Sequence, residues 1–120
     1  MFETRRAMSK DVFTISESEE KGSATLVVKA TALEAFHLEG FGEYCDKLLA
    51  TGRKHLILDL RRMHNIRSRF IGLIIKLADD ARSDGRRAGV LANKRVAQML
   101  AMFSDEVGLE VSTEGPDVGK

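Results

Sequence analysis

The chain is sparing with the residues that usually announce a cofactor, a disulfide framework or a base-stacking surface. Among 120 residues there is one cysteine, one proline, one tyrosine and no tryptophan. A single cysteine, Cys45, excludes an internal disulfide and a zinc site built from several thiolates, and it suits a reducing compartment. Six phenylalanines and one tyrosine, most at core spacing, leave no exposed aromatic series for stacking bases. A formal charge of +1 gives no global field for drawing in nucleic acid or an anionic membrane. No apolar run approaches a membrane span, and the opening MFETRRAMSK has no apolar core of signal-peptide length, so a cytoplasmic protein without membrane insertion is expected. There is no G-x-G-x-x-G or P-loop sequence, and His37, His55 and His64 lack ligand spacing; neither a cofactor nor a metal is expected.

What is present describes an ordinary globular domain, with 43% hydrophobic and 31% charged residues. A chain of this length makes one core and buries roughly two-thirds of its unfolded surface. Residues 1–10 show no sustained period and read as a flexible arm, and 113–120, with two glycines and the proline, read as a disordered tail. Between them lies one domain over 11–112.

Within it, Val12 to Ser16 and Ala24 to Lys29 read as strands joined through a polar stretch that ends at Gly22. Phe41, Tyr44, Cys45, Leu48 and Leu49 recur at helical spacing, predicting a helix over Leu38 to Ala50 stopped by a left-handed Gly52. HLILDL is a short continuous apolar run of the kind found in a strand buried on both faces. A loop of LRRMHNIR leads to a second helix beginning near Ser68 and ending at Asp84-Gly85. Gly89 to Ala92 is a short strand, Asn93 is the expected N-cap of a third helix with Val96, Met99, Leu100 and Phe103 inward, and Leu109 to Val111 adds a last strand. Met99 and Met102 are expected to fill core gaps. The order β-β-α-β-α-β-α-β predicts an α/β fold, a mixed sheet of four to five strands with three or four helices packed largely on one side.

The stretch LILDLRRMHNIRSRFIGLIIKLADDARSDGRRAGVLANKRVAQMLAMFSDEVGLEV resembles the STAS domain, found in bacterial anti-sigma factor antagonists and in the cytosolic tails of sulfate transporters. The family pattern is a strand of the form lvlDls, a short loop, then D-S-(S/T)-G-(L/I/V)-G opening a helix. Asp59 falls on the strand aspartate, Ser68 on the serine phosphorylated in many antagonists, and Gly72 on the final glycine. Leu33-Glu34 lies where the family often has Leu-Asp. Arg67 stands in place of the motif's aspartate, Arg69 of its second hydroxyl residue and Phe70 of its glycine. The resemblance implies a regulator that binds an anti-sigma factor or a related serine kinase or ATPase, switched by phosphorylation at Ser68. A constitutive subunit of a larger complex, such as an ABC lipid transporter or a signalling scaffold, is the alternative, and a homodimer is left open.

By its position alone, Ser68 is expected to cap the second helix, a contribution of about 1 kcal/mol. Arg61, Arg62, His64, Asn65, Arg67, Arg69 and Gly72 surround it in the sequence and form a local cationic rim suited to docking on a protein. Arg82, Arg86 and Arg87 form a separate patch. Asp59, His64 and Ser68 make an unconvincing triad, because no G-x-S-x-G elbow surrounds the serine. The expected mode of action is binding without catalysis.

Overall fold

The computed structural model describes residues 12–113. The expected arm, and all of the expected tail beyond Thr113, lie outside the described residues. Strands β1 (Phe13–Ser18) and β2 (Ser23–Val28) pair antiparallel through a turn closed by Gly22 at φ 63°. From there the chain runs through a 3-10 turn (Ala35–His37), α1 (Leu38–Ala50), β3 (His55–Asp59), α2 (Ser68–Ser83), β4 (Arg87–Leu91), α3 (Lys94–Val107) and β5 (Leu109–Ser112). The five strands form one sheet in sequence order, and all pairs after the first hairpin are parallel. No helix of the described residues is long and apolar enough to cross a membrane.

Ala24, Leu26, Val28, Leu56, Leu58, Ala88, Val90 and Leu109 are buried, and the register places them on one face of the sheet, beneath the helices. The intervening Thr25, Val27, Ile57 and Leu91 are only partly covered. This corrects the expectation for β3: its burial alternates, so it is covered by helices on one face only. The run looks uniformly apolar because Ile57 stands on the open face, half-buried between Thr25 and Gly89 of the neighbouring strands.

The helices bury the residues that their periodicity selects: Phe41, Cys45 and Leu48 from α1, Phe70, Ile71, Ile74, Leu77, Ala78 and Ala81 from α2, and Val96, Ala97, Leu100 and Ser104 from α3. Phe13, Phe41 and Phe70 form a chain of rings, with centroids 5.9 Å and 5.6 Å apart, that ties β1 and α1 to the first turn of α2. Burial pushes the Cys45 thiol up to about 12, with the Asp46 charge adding to the shift and Lys76 opposing it, so the thiol is a packing residue. Met102 departs from expectation: it is 81% exposed on α3, while Met99 packs partly against the core.

Parallel strands share a carboxyl edge, and three loops meet there: β2 to α1, β3 to α2 and β4 to α3. In open α/β sheets this edge is where recognition residues collect.

Candidate functional site

The loop after β3 is fastened at several points. Leu60 N–H donates to Leu91 O at 2.7 Å and Met63 N–H to Leu60 O at 3.0 Å, while His64 N–H reaches Thr31 O at 2.9 Å. Asn93 does two jobs: its Oδ1 caps α3 by accepting from Val96 N–H at 3.0 Å, and its Nδ2 donates to the carbonyls of Met63 and Arg61. Met63 and Ile66 turn inward as plugs. With the loop anchored by these two, Arg62, His64, Asn65, Arg67, Ser68 and Arg69 all face solvent, as does Gly72 one turn further along α2.

Ser68 does not cap α2. The N-cap is Arg67, in extended conformation, whose carbonyl accepts from Phe70 and Ile71 N–H; Ser68 is the first helical residue, and its hydroxyl makes no hydrogen bond among the described residues. The expectation fails by one position because the helix starts where Phe70 must enter the core, and this puts Arg67 at the boundary. Arginine has only donors, so it leaves the first helical N–H groups without a side-chain acceptor.

The cationic rim is partly neutralised from within. Arg61 holds Asp59 in a two-point pair, Nε to Oδ1 at 2.9 Å and Nη2 to Oδ2 at 2.8 Å. Partial burial acts to raise the Asp59 carboxyl, but the hydrogen bonds and charge of Arg61, with Arg62 adding, hold it below the usual carboxylate value. Arg67 approaches Glu34 at 3.7 Å. Arg62 and Arg69 have no ion-pair partner among the described residues. They are the rim's open cations. The second patch is quenched: Arg82 pairs with Asp79, Arg86 binds Asp84 and the carbonyls of Leu49 and Arg53, and Arg87 pairs with Glu110 at two points.

Beside Ser68 lies a groove of about 400 Å³ lined by Ala35 and Leu38 on one bank and by Arg67, Ser68, Arg69 and Phe70 on the other. Phe36, next to Ala35 in the chain, is 79% exposed and stacked on His37 with ring centroids 4.2 Å apart. Sequence reasoning passed over Ala35, Phe36 and Leu38, and also Asn93's grip on the loop. One signal was available: Phe36 falls out of phase with the α1 stripe of Phe41, Cys45 and Leu48. Phe70, which replaces the family's glycine, faces the core against Phe41 and forms the groove's floor.

No family model and no curated protein sequence matches the chain. Solved structures do. A Thermotoga maritima protein, TM1081, a candidate anti-sigma factor antagonist, superposes with a TM-score of 0.68 at 15% identity, over 93% of this chain and 98% of that one. The fold is STAS-like. The anti-sigma factor antagonist SpoIIAA in its unphosphorylated form gives 0.68 at 12% identity over 88% of this chain and 91% of its own. An anti-sigma factor antagonist from Mycobacterium paratuberculosis gives 0.61 at 15% identity, over 84% and 86%. The STAS-like sheet with its helices is thus shared at identities where sequence carries little of the likeness. Among the described residues no group of three or more His, Cys, Asp or Glu side chains could hold a metal ion.

Proposed function

We propose that this STAS-like domain is a regulatory protein of the anti-sigma factor antagonist type, acting by binding an anti-sigma factor or related serine kinase and released by phosphorylation of Ser68. The observation that carries the reading is the hydroxyl of Ser68: solvent-exposed, unbonded among the described residues, and placed on the rim of a groove lined by Ala35 and Leu38 opposite Arg67 and Arg69. An apolar ring with a charged border is the composition of a docking surface. Phosphorylation adds about −1.5 to −2 charges at the first turn of α2, where the helix dipole and the Arg67 and Arg69 guanidinium groups tolerate them. The fold is retained while the face loses its net positive charge. A partner complementary to Arg62 and Arg69 then loses that attraction and meets a strongly hydrated phosphate in its place.

The test uses the full chain with a candidate serine kinase from the same genome and ATP. Intact-mass spectrometry should find one added phosphate, absent from Ser68→Ala, and Ser68→Ala should stay bound where the parent is released. Absence of phosphate together with unchanged partner affinity for Ser68→Glu would sink the proposal.

A further inference from the structure

The groove beside Ser68 opens one end of a longer seam. Helices α1 and α2 each cross over between parallel strands, so they run in the same direction, away from the carboxyl edge of the sheet. Past Leu38 and Arg69 the space between them leads to a second hollow of about 140 Å³, lined by Gly42, Asp46 and Leu49 from α1 and by Leu73, Lys76 and Asp80 from α2. Leu38, Leu49 and Leu73 are half-buried and give this seam an apolar floor. Gly42, one turn on from Leu38, keeps it low: a Cβ there would stand 3.8 Å from Leu73 Cδ1, and a longer side chain would rise into the passage.

The borders of the seam differ in charge. On α1, Glu39, Glu43 and Asp46 are exposed, follow one another at spacings of four and three along the outer side of the seam, and form no ion pair among the described residues. Like charges at this spacing weaken a helix, and Lys47, beside Asp46 in the chain, lies over the Tyr44 ring at 4.5 Å instead of pairing with them. On α2, Arg69 is an open cation at the Ser68 end, whereas Lys76 is held by Asp80 at 3.0 Å. One bank is therefore acidic throughout, and the other is cationic only at its start. We infer that the seam receives an amphipathic helix of the partner protein, its apolar stripe over Leu38, Leu73 and Leu49, basic residues on the flank beside Glu39, Glu43 and Asp46, and a carboxylate near Arg69. The inference rests on the reading of the domain as a binding regulator and supplies the chemistry of what it binds. From Arg69 to Asp80 the seam is about 16 Å long at 1.5 Å per residue, room for about three helical turns. The three α1 carboxylates recur at helical period, so a single row of lysines or arginines on a helix laid alongside meets all of them. The carboxylate end of that helix lies beside Ser68, where a phosphate would oppose it.

Fluorescence anisotropy with two labelled synthetic peptides tests the inference on the full chain. Both peptides are amphipathic helices with the same leucine stripe; one carries lysines along a flank of the stripe and the other glutamates in the same places. The parent is expected to bind the lysine peptide about tenfold more tightly than the glutamate peptide, and Glu43→Lys/Asp46→Lys should invert that preference. Gly42→Leu fills the seam without changing charge and should weaken binding of the lysine peptide at least tenfold. Its Cβ meets Leu73 at ordinary contact distance and leucine is the better helix former, so the fold is kept; circular dichroism checks both variants. Failure of the parent to bind the lysine peptide, equal binding of the two peptides, a preference that survives the reversal, or a Gly42→Leu chain that binds as the parent does overturns the inference. Calorimetry with an anti-sigma factor or serine kinase from the same genome separates it from the Ser68 reading: affinity lost in Ser68→Glu but kept in Gly42→Leu overturns the seam alone, and the reverse overturns the phosphorylation switch alone.

Discussion

Replacing Arg67 by asparagine should make the domain more stable. Arg67 occupies the N-cap of α2 in extended conformation but offers no acceptor to the helix. An asparagine there can accept from the second or third helical N–H, a gain of about 1 kcal/mol. The loss to set against it is the ion pair with Glu34, 3.7 Å long between side chains 65% and 53% exposed, which solvent screening holds to about 0–0.5 kcal/mol. The net gain of about 0.5–1 kcal/mol corresponds to a rise in melting temperature of about 2–5 °C for a domain of this size. Arg67→Ala is the control, since it loses the ion pair and adds no acceptor, and it should melt at or slightly below the parent. Thermal and urea unfolding followed by circular dichroism would read both. If Arg67→Asn melts no higher than Arg67→Ala, the uncapped start of α2 is not a weakness of this fold.

Other perturbations separate the contributions of the same region. Asn93→Ala should cost about 2 kcal/mol, with roughly half from the lost cap and half from the Met63 carbonyl left without its donor; Asn93→Ser keeps a capping oxygen without the amide donor and should cost about half as much in urea unfolding, so equal losses would contradict the dual role. Gly72 has open space where a Cβ would stand, so Gly72→Ala should stabilise the exposed helix by about 0.5–1 kcal/mol. It should also weaken partner binding, because Gly72 follows Ser68 by four residues on the same face. Asp59 is held below its ordinary value of 3.8, so its pair with Arg61 contributes stability that is complete above that value and lost as the pH falls through the lowered one. Asp59→Asn should therefore lose about 1 kcal/mol at pH 7, discounted for screening because the pair is only partly buried, and progressively less as the pH falls below 3.8; a loss independent of pH would point to packing.

The fold was legible because its signals are long. The α1 span was predicted to the residue, Gly52 and Gly85 take the left-handed conformation (φ 74° each) expected at helix ends, and Asn93 caps α3. What escaped depends on neighbours that a linear pattern does not contain. HLILDL cannot show that only one of its faces meets helices. Ser68 looks like the cap because it is the only good acceptor near the boundary, yet the boundary is fixed by Phe70 reaching Phe41, residues far apart in the chain. Met102 differs from Met99 only in phase, and three residues are enough to turn it from the core to solvent. At the candidate site the cationic cluster was readable, but not its internal pairing: Asp59 for Arg61 and Glu34 for Arg67 leave Arg62 and Arg69 as its open charges. Phe36 was missed because it lies ahead of the helical stripe.

The measurement that bears most directly on the docking face is a calorimetric titration of an anti-sigma factor or serine-kinase partner from the same genome with two forms of the full chain, one with unmodified Ser68 and one phosphorylated there. The expected result is tight binding of the first and at least tenfold weaker binding of the second, with both forms giving the same circular dichroism. Equal affinity for the two forms would contradict it.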